Sequence, residues 1–244
     1  MASLSTGVSA GFCAAAGLGL LAGGWFYASR WPSSRLFGEA LTAPAQPGEL
    51  ALTFDDGPNP ASTPTLLDLL AERNVHATFF LIGTFAERAP EMVRRIASAG
   101  HLIGNHSWSH PNLSSTSAAK IREELVRTSA TLEQITGARV KYFRPPFGAR
   151  RPAVFQIARE LGLEPVLWNA MTTDWSEPSS ERITGRLITK IDLLTRRGNA
   201  VNIVLHDGGH RALGTNREPS IQAAEKLITR YKSTHRFVTL DAWR

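Results

Sequence analysis

A parallel α/β fold is predicted by three features of the sequence. Between residues 48 and 244, short apolar runs alternate with longer stretches of helical period, the pattern of a parallel sheet covered by helices. Gly or Pro stands at many of the boundaries between them. Ionisable residues gather directly after the apolar runs, at the strand ends where such sheets bind ligands. About seven strands fit the pattern, as an open doubly wound sheet or an incomplete barrel.

The first strand is Leu50–Phe54, followed by a helix over Pro64–Arg73 that carries Leu66, Leu67, Leu69 and Leu70. Ala77–Ile82 is an apolar strand with two Phe, and Ala86–Ala99 is a helix ended by Gly100. A short apolar stretch at Leu102–Ile103 precedes a helix over Ala118–Thr136, with Ile121, Leu125, Leu132 and Ile135 at helical spacing and Gly137 as its stop. Tyr142–Phe143 is a minimal strand. Pro152–Leu161 is a helix, with Pro well placed in its first turn and Gly162 behind it. Pro165–Trp168 is a strand, Glu181–Arg196 a helix, Val201–Leu205 a strand, Ile221–Tyr231 a helix and Phe237–Leu240 a last strand.

Ahead of this region, Met1 to Ser29 carries no charged side chain. Gly7 to Ala28 is a continuous run of small and apolar residues, which as a helix of about 33 Å is long enough to cross a bilayer. Trp25 and Tyr27 lie where an interfacial aromatic belt would sit. With no Lys or Arg before it, the run reads as an uncleaved membrane anchor over residues 1–29 rather than a cleaved signal peptide. Arg30 and Arg35 follow the span, and by charge alone they would hold the rest of the chain in the cytoplasm. Residues 30–47, rich in Pro, Ser and Ala, read as a linker to a domain over 48–244.

Composition narrows the chemistry. Of 244 residues, 43% are hydrophobic and 20% charged, which excludes global disorder. Cys13 is the single cysteine, so there is no internal disulfide and no cysteine-based zinc site; any metal must be held by His, Asp or Glu. The net charge is +6, but the basic residues are scattered and no RNP-like motif or basic–aromatic strip occurs, so the surface reads as solvated rather than as a nucleic-acid site. No Walker A loop is present, and the one Gly-x-Ser-x-Gly string, Gly7-Val8-Ser9-Ala10-Gly11, lies inside the apolar N-terminal run rather than at a strand-to-helix elbow, which disfavours nucleotide and serine acyl-enzyme chemistry.

Five apolar stretches deliver polar clusters: Asp55-Asp56, His106 and His110, Arg144, Asp174, and His206-Asp207. Each has a bland reading. Asp-Asp-Gly-Pro is a good turn, an i,i+4 His pair often caps or solvates, His206 can be a hydrogen-bonded core histidine, and Arg144 can be a surface ion-pair residue. On one helical turn the His pair would share a face and chelate one ion. If strand geometry continues, the two aspartates point in opposite directions. Taken together, an Asp/His/His set supplies three ligands for a divalent ion and leaves a position open for water or substrate. A second carboxylate can take a proton from water, and a histidine opposite can protonate a leaving amine. That is metal-assisted hydrolysis of an amide or ester.

Thr53-Phe54-Asp55-Asp56-Gly57-Pro58, His106-Ser107-Trp108-Ser109-His110, Arg144-Pro145-Pro146-Phe147, Asp174-Trp175 and Leu205-His206 occur in this order. Ala77-Thr78-Phe79-Phe80 and Gly104-Asn105 stand between them. The set resembles the motifs of the polysaccharide deacetylases, the NodB-homology enzymes of carbohydrate esterase family 4, over about residues 48–244. The resemblance implies a deformed or incomplete (β/α) barrel and metal-dependent removal of N-acetyl groups from N-acetylhexosamine units of a cell-envelope glycan. By matching positions, Asp55 resembles the catalytic base, and Asp56, His106 and His110 the ligands of a divalent metal, Zn²⁺ or Co²⁺. His206 resembles the general acid, Asp174 the residue that tunes it, and Arg144 the residue that holds the base ionised. The backbone N–H of Phe147 is matched to an oxyanion donor, and Trp175 and Leu205 to the walls of an acetyl pocket. One departure is visible: an acidic residue often stands three positions before the Asp of the fourth motif, and here that position is Met171.

The family's usual substrates imply an extracytoplasmic, membrane-anchored domain, against the arginines after the apolar run. Deacylation of a lipid-linked sugar and glycan binding without turnover are the alternatives. The ligand and base positions are all filled, which favours an enzyme. Arg139, Lys141, Arg144, Arg150, Arg151 and Arg159 are opposed locally only by Glu160; Arg150 and Arg151 read either as a solvated helix start or as a site rim that would favour an anionic glycan or a sugar phosphate.

Overall fold

The computed structural model describes residues 23, 24, 27, 29, 32 and 34–244. Eight parallel strands form one curled sheet: β1 (Glu49–Gly57), β2 (Thr78–Leu81), β3 (Leu102–Asn105), β4 (Tyr142–Phe143), β5 (Glu164–Pro165), β6 (Ala170–Met171), β7 (Val201–His206) and β8 (Arg236–Phe237). Their order is β5-β4-β3-β2-β1-β7-β6, with β8 paired to the start of β1. The α-helices are α1 (Thr63–Glu72), α2 (Gly83–Arg88), α3 (Pro90–Ser98), α4 (Ala118–Thr136), α5 (Pro152–Glu160), α6 (Ser180–Arg196) and α7 (Glu218–Tyr231). The architecture is the incomplete barrel expected from the sequence, a parallel half-barrel wrapped by helices.

Strand β1 is the centre of the molecule. All of its residues from Leu50 to Gly57 are buried, as a strand flanked on both sides must be. Its register with β7 runs from Leu50↔Val201 to Asp55↔His206, and with β2 from Thr53↔Thr78 to Asp55↔Phe80. The apolar side chains of these strands meet the helices; Phe54 and Phe79 stack with ring centroids 5.3 Å apart. The helix signals act as read. Ser117 caps α4 by accepting the Lys120 N–H, and Gly137 ends it at φ 70°. Ser179 caps α6 through the Arg182 N–H.

Three elements differ from expectation. The helix expected over Ala86–Ala99 is two helices, because Ala89 turns out of helical geometry (φ −134°, ψ 55°) before Pro90, which restarts the chain as the first residue of α3. The helix also starts earlier, at Gly83, where a Cβ would stand 2.3 Å from the Trp108 ring, so only glycine admits that indole. The strand expected over Pro165–Trp168 splits. Residues 166–169 carry the chain from the β4 side of the sheet to the β7 side, with Asn202 Nδ2 donating to Leu167 O (2.8 Å) and the Asn202 N–H to Asn169 Oδ1 (2.8 Å). The last strand is only Arg236–Phe237; the chain then turns so that Trp243 Nε1 donates to Glu49 Oε2 (2.7 Å).

Part of the stretch read as a linker is packed on the sheet. Leu41 bridges Val166, its N–H donating to Pro165 O and its C=O accepting from Leu167, while the Ala200 N–H donates to Pro44 O. Phe37 and Leu41 are buried. The expectation of a membrane-anchored, extracytoplasmic chain is corrected here. Among the described residues no helix is long and apolar enough to cross a membrane, and most of the proposed anchor over 1–29 lies outside the described residues, so anchoring has no support in the structure.

Burying Phe37 and Leu41 is worth about 1.5–3 kcal/mol each. We expect a fragment 45–244 to unfold at lower urea than a fragment 29–244, with a stability loss of about 3 kcal/mol or more from those two side chains. Coincident urea midpoints would show the segment contributes nothing.

Candidate active site

The carboxyl ends of β1, β3, β4 and β7, with the loop after β6, surround one space, and this is where the sequence clusters meet. Asp55 and Asp56 end β1. Their carboxylates do not diverge as strand alternation predicts: Asp56 has φ 69°, and the β1–β2 register shifts between Asp55 and Gly57. That local reversal brings both groups to the same side. His106 Nε2 stands 3.8 Å from Asp55 Oδ2 and 3.5 Å from Asp56 Oδ1.

His106 and His110 follow β3 on a turn, not on a helix; Ser107 (φ 66°) and His110 (φ 58°) are both left-handed. Side chains pin that turn. Asn105 Oδ1 accepts the Ser107 N–H (2.8 Å), and Ser107 Oγ accepts the His110 N–H (3.1 Å). Buried Glu124 of α4 accepts the Ser109 N–H (2.7 Å) and hydroxyl (2.9 Å). The imidazoles share a site by this turn, at 4.9 Å between centroids.

Asp56 Oδ1 lies 3.2 Å from His110 Nε2 and 3.5 Å from His106 Nε2. It is buried and accepts no hydrogen bond among the described residues. His106 Nδ1 pairs with Arg144 O (2.8 Å), so with the proton on Nδ1 the Nε2 lone pair points at the same space. Tetrahedral bonds of about 2.0–2.1 Å place ligand atoms about 3.3 Å apart, the separation found here. The three residues therefore fit one metal ion as two imidazoles and a carboxylate. Burial alone would raise the Asp56 pKa, but the neighbouring imidazoles of His106, His110 and His210 hold it well below the usual carboxylate range.

Arg144 is fully buried at the end of β4. Its Nη1 donates to Asp55 Oδ1 (2.7 Å) and Thr53 Oγ1 (2.8 Å), its Nη2 to Asn202 Oδ1 (3.3 Å), and the guanidinium lies 4.1 Å over the Phe80 ring. Burial lowers its pKa, with Asp55 opposing, and the guanidinium remains charged. On the other flank, buried Asp174 accepts from the His206 backbone N–H (2.8 Å), from the Ser220 hydroxyl (2.8 Å) and pairs with His206 Nδ1 (3.0 Å). Burial would lower the His206 pKa, but Asp174, with Asp56 and Asp55 behind it, more than offsets this and pushes it up to about 9.

The remaining expected residues are divided. Phe147 (φ 58°) and Trp175 are exposed, one against the His110 ring at 4.6 Å and the other against the His206 ring at 5.2 Å. Leu205 has no exposed surface and belongs to the main core. Met171 ends β6 and gives its carbonyl to Lys190. Arg150 is not at a rim: it is buried, with Nη1 donating to Gly148 O (3.0 Å) and Nη2 to Ser34 O (3.3 Å). Arg151 reaches Thr116 O (2.8 Å). The anionic-rim expectation therefore fails for Arg150, because its charge is consumed inside the fold.

Sequence reading missed Thr53 and Asn202, the partners of Arg144, although a polar residue inside an apolar strand is a signal for Asn202. It also missed Ser220 and His210, which come from a helix and a loop far along the chain.

Comparison with known proteins agrees with this geometry. Residues 42–166 match the family model described as polysaccharide deacetylase. The chain is 37% identical over 206 residues to a peptidoglycan-N-acetylglucosamine deacetylase of Bacillus cereus, covering 83% of this chain and 70% of the relative. It is 34% identical over 174 residues to a chitooligosaccharide deacetylase of Azorhizobium caulinodans, covering 71% and 80%. A solved peptidoglycan N-acetylglucosamine deacetylase superposes with TM-score 0.74 at 36% identity, over 83% of this chain and 91% of that one. A solved mutant of a carbohydrate esterase family 4 pseudoenzyme, described as having restored activity, superposes with TM-score 0.74 at 26% identity, over 84% and 70%.

The His206 shift has a sign that can be measured. In metal-free protein its stabilising contribution is fully present below the unfolded pKa of about 6.5 and is lost as pH rises through about 9. By NMR of the imidazole protons, His206 should titrate near 9 in the metal-free chain and at least about one unit lower in Asp174→Asn, which removes the partner charge. An unshifted midpoint in the variant would remove Asp174 as the cause.

Proposed function

Because the chain belongs to the polysaccharide deacetylase family, we propose that it hydrolyses the N-acetyl amide of N-acetylhexosamine units in a peptidoglycan or chitin-like glycan of the cell envelope, using a divalent ion at Asp56, His106 and His110. One observation carries the reading: a base candidate, a metal trio and an acid candidate all line one space, each with its own supporting partner. That completeness matters because a relative of the same fold is described as a pseudoenzyme, so fold alone does not imply turnover.

A bound divalent ion supplies Lewis acidity, polarising the amide carbonyl and acidifying water. The donor set of two nitrogens and one oxygen suits Zn²⁺, and Co²⁺ fits the same geometry. Asp55, ion-paired with Arg144, accepts the proton of the attacking water through Oδ2, the oxygen not engaged by Nη1. The water oxygen bonds to the carbonyl carbon. His206, protonated at neutral pH through Asp174, gives its proton to the amide nitrogen as the C–N bond breaks. The products are acetate and the free amine. Asp174 orients the imidazole by Nδ1 so that Nε2 faces the leaving group. Phe147 and Trp175 are exposed beside His110 and His206 and offer aromatic faces on which a sugar ring can lie.

Acetate release from N-acetylglucosamine oligomers and from peptidoglycan tests the reading on the full chain. Release should vanish with chelator, return with Zn²⁺ or Co²⁺, and fall at least about 100-fold in Asp55→Asn. The rate should decline as pH rises through the His206 pKa, which lies below about 9 once a cation is near. No release despite bound metal would shift the substrate to a lipid-linked N-acyl sugar. No release and no bound metal would make the chain a glycan-binding homologue.

A further inference from the structure

His106 and His110 are not held alike. His106 has its Nδ1 fixed on the Arg144 carbonyl, the usual way a ligating imidazole is oriented. His110 Nδ1 is buried and has no hydrogen-bond partner among the described residues. Ring packing holds it instead. The His210 imidazole lies parallel to it, with centroids 4.6 Å apart and planes at 17°, and Phe147 closes the other direction edge-on at 4.6 Å.

His210 also touches the carboxylate ligand. Its backbone N–H donates to Asp56 Oδ2 (3.2 Å), and its Nδ1 lies 3.7 Å from the same oxygen. This turns Oδ1, the oxygen without a hydrogen bond, toward the two Nε2 atoms.

The loop that delivers His210 is built to do so. Gly208 runs against the Asp56 backbone so closely that a Cβ there would fall 1.9 Å from Asp56 O. Buried Asn59 ties the loop down, donating to Asp207 O (2.8 Å) and Thr215 O (2.6 Å) and accepting the Gly214 N–H (3.0 Å). Arg217 clamps its end, with Nε on Gly208 O (2.6 Å) and Nη1 on Trp175 O (2.8 Å).

We propose that His210 is a positioning residue of the metal centre, whose ring does for His110 by stacking what the Arg144 carbonyl does for His106 by hydrogen bonding. The inference rests on the metal site proposed above. It requires that the ring, not the imidazole nitrogens, carry most of the effect, since the backbone N–H survives side-chain substitution.

The test is Zn²⁺ affinity of the metal-stripped full chain, by competition with a chromogenic chelator, with urea midpoints of the metal-free forms alongside. His210→Ala should weaken Zn²⁺ binding about tenfold with little change in the metal-free midpoint. His210→Phe, which keeps a stacking ring, should recover most of that loss. Unchanged affinity in His210→Ala overturns the assignment, and so does an equal loss in His210→Phe. A wild-type chain that binds no Zn²⁺ brings down the metal reading itself, which separates the two failures.

Discussion

The ion pair between Arg144 and Asp55 is the constraint around which the rest is arranged. Both groups are buried at the centre of the half-barrel, where an unpaired charge would cost about 3–5 kcal/mol. The guanidinium is held from three strands, its Nη atoms by Thr53 and Asp55 of β1 and Asn202 of β7 and its face by Phe80 of β2, while its Nε has no hydrogen-bond partner among the described residues. The strand before it, β4, is two residues long, and these side-chain contacts add to the one backbone bond from the Arg144 N–H to Asn105 O (3.0 Å). The same residue gives its backbone carbonyl to His106. One arginine thus pairs with Asp55 and fixes the His106 ring, which links the proposed base to the proposed metal site.

Backbone geometry collects at the same place. Of the described non-glycine residues with positive φ, Asp56, Ser107, His110 and Phe147 all belong to the site, and only Asn74 lies elsewhere. Such conformations are costly for L-residues and persist where surroundings over-determine them. Here the surroundings are identifiable: the bulge in β1, the Asn105 and Ser107 side chains, Glu124 beneath the histidine turn, and the packing of Phe147 on two imidazoles. The reward is convergence, because an ideal strand would send Asp55 and Asp56 to opposite faces.

Stability and function share parts of the chain that look unrelated in sequence. The segment around Leu41 and Pro44 covers the gap between strands at the two sides of the curled sheet, and the Ser34 carbonyl accepts a hydrogen bond from the guanidinium of Arg150, two residues past the Phe147 turn. The loop after β7 similarly joins Asn59, Arg217 and Trp175 into one unit with His206 and His210. Each connection supports an element of the candidate site from a distant stretch of chain.

Much of this was legible in the residues themselves. Apolar alternation and helix caps act locally, so the order of strands and helices, the parallel sheet and the end at which ionisable groups collect follow from short-range patterns. The identities of Asp55, Asp56, His106, His110, Arg144, Asp174 and His206 follow from motif chemistry in the same way. Whether two aspartates diverge or converge, whether a His pair sits on a helix or a turn, whether Arg150 faces solvent or the interior, and whether residues 35–44 are tether or structure are not local properties. They depend on the curl of the sheet and on partners such as Asn202, Glu124 and Ser34, which have no sequence proximity to the groups they hold. His210 is the plainest case: nothing beside it in sequence marks it, and only the folding of the β7 loop over Asp56 places its ring on His110. The sequence by itself determined the chemistry available and the order of its delivery; the tertiary structure alone decided the geometry, because buried hydrogen bonds and ring contacts act between segments that meet only after the barrel has curled.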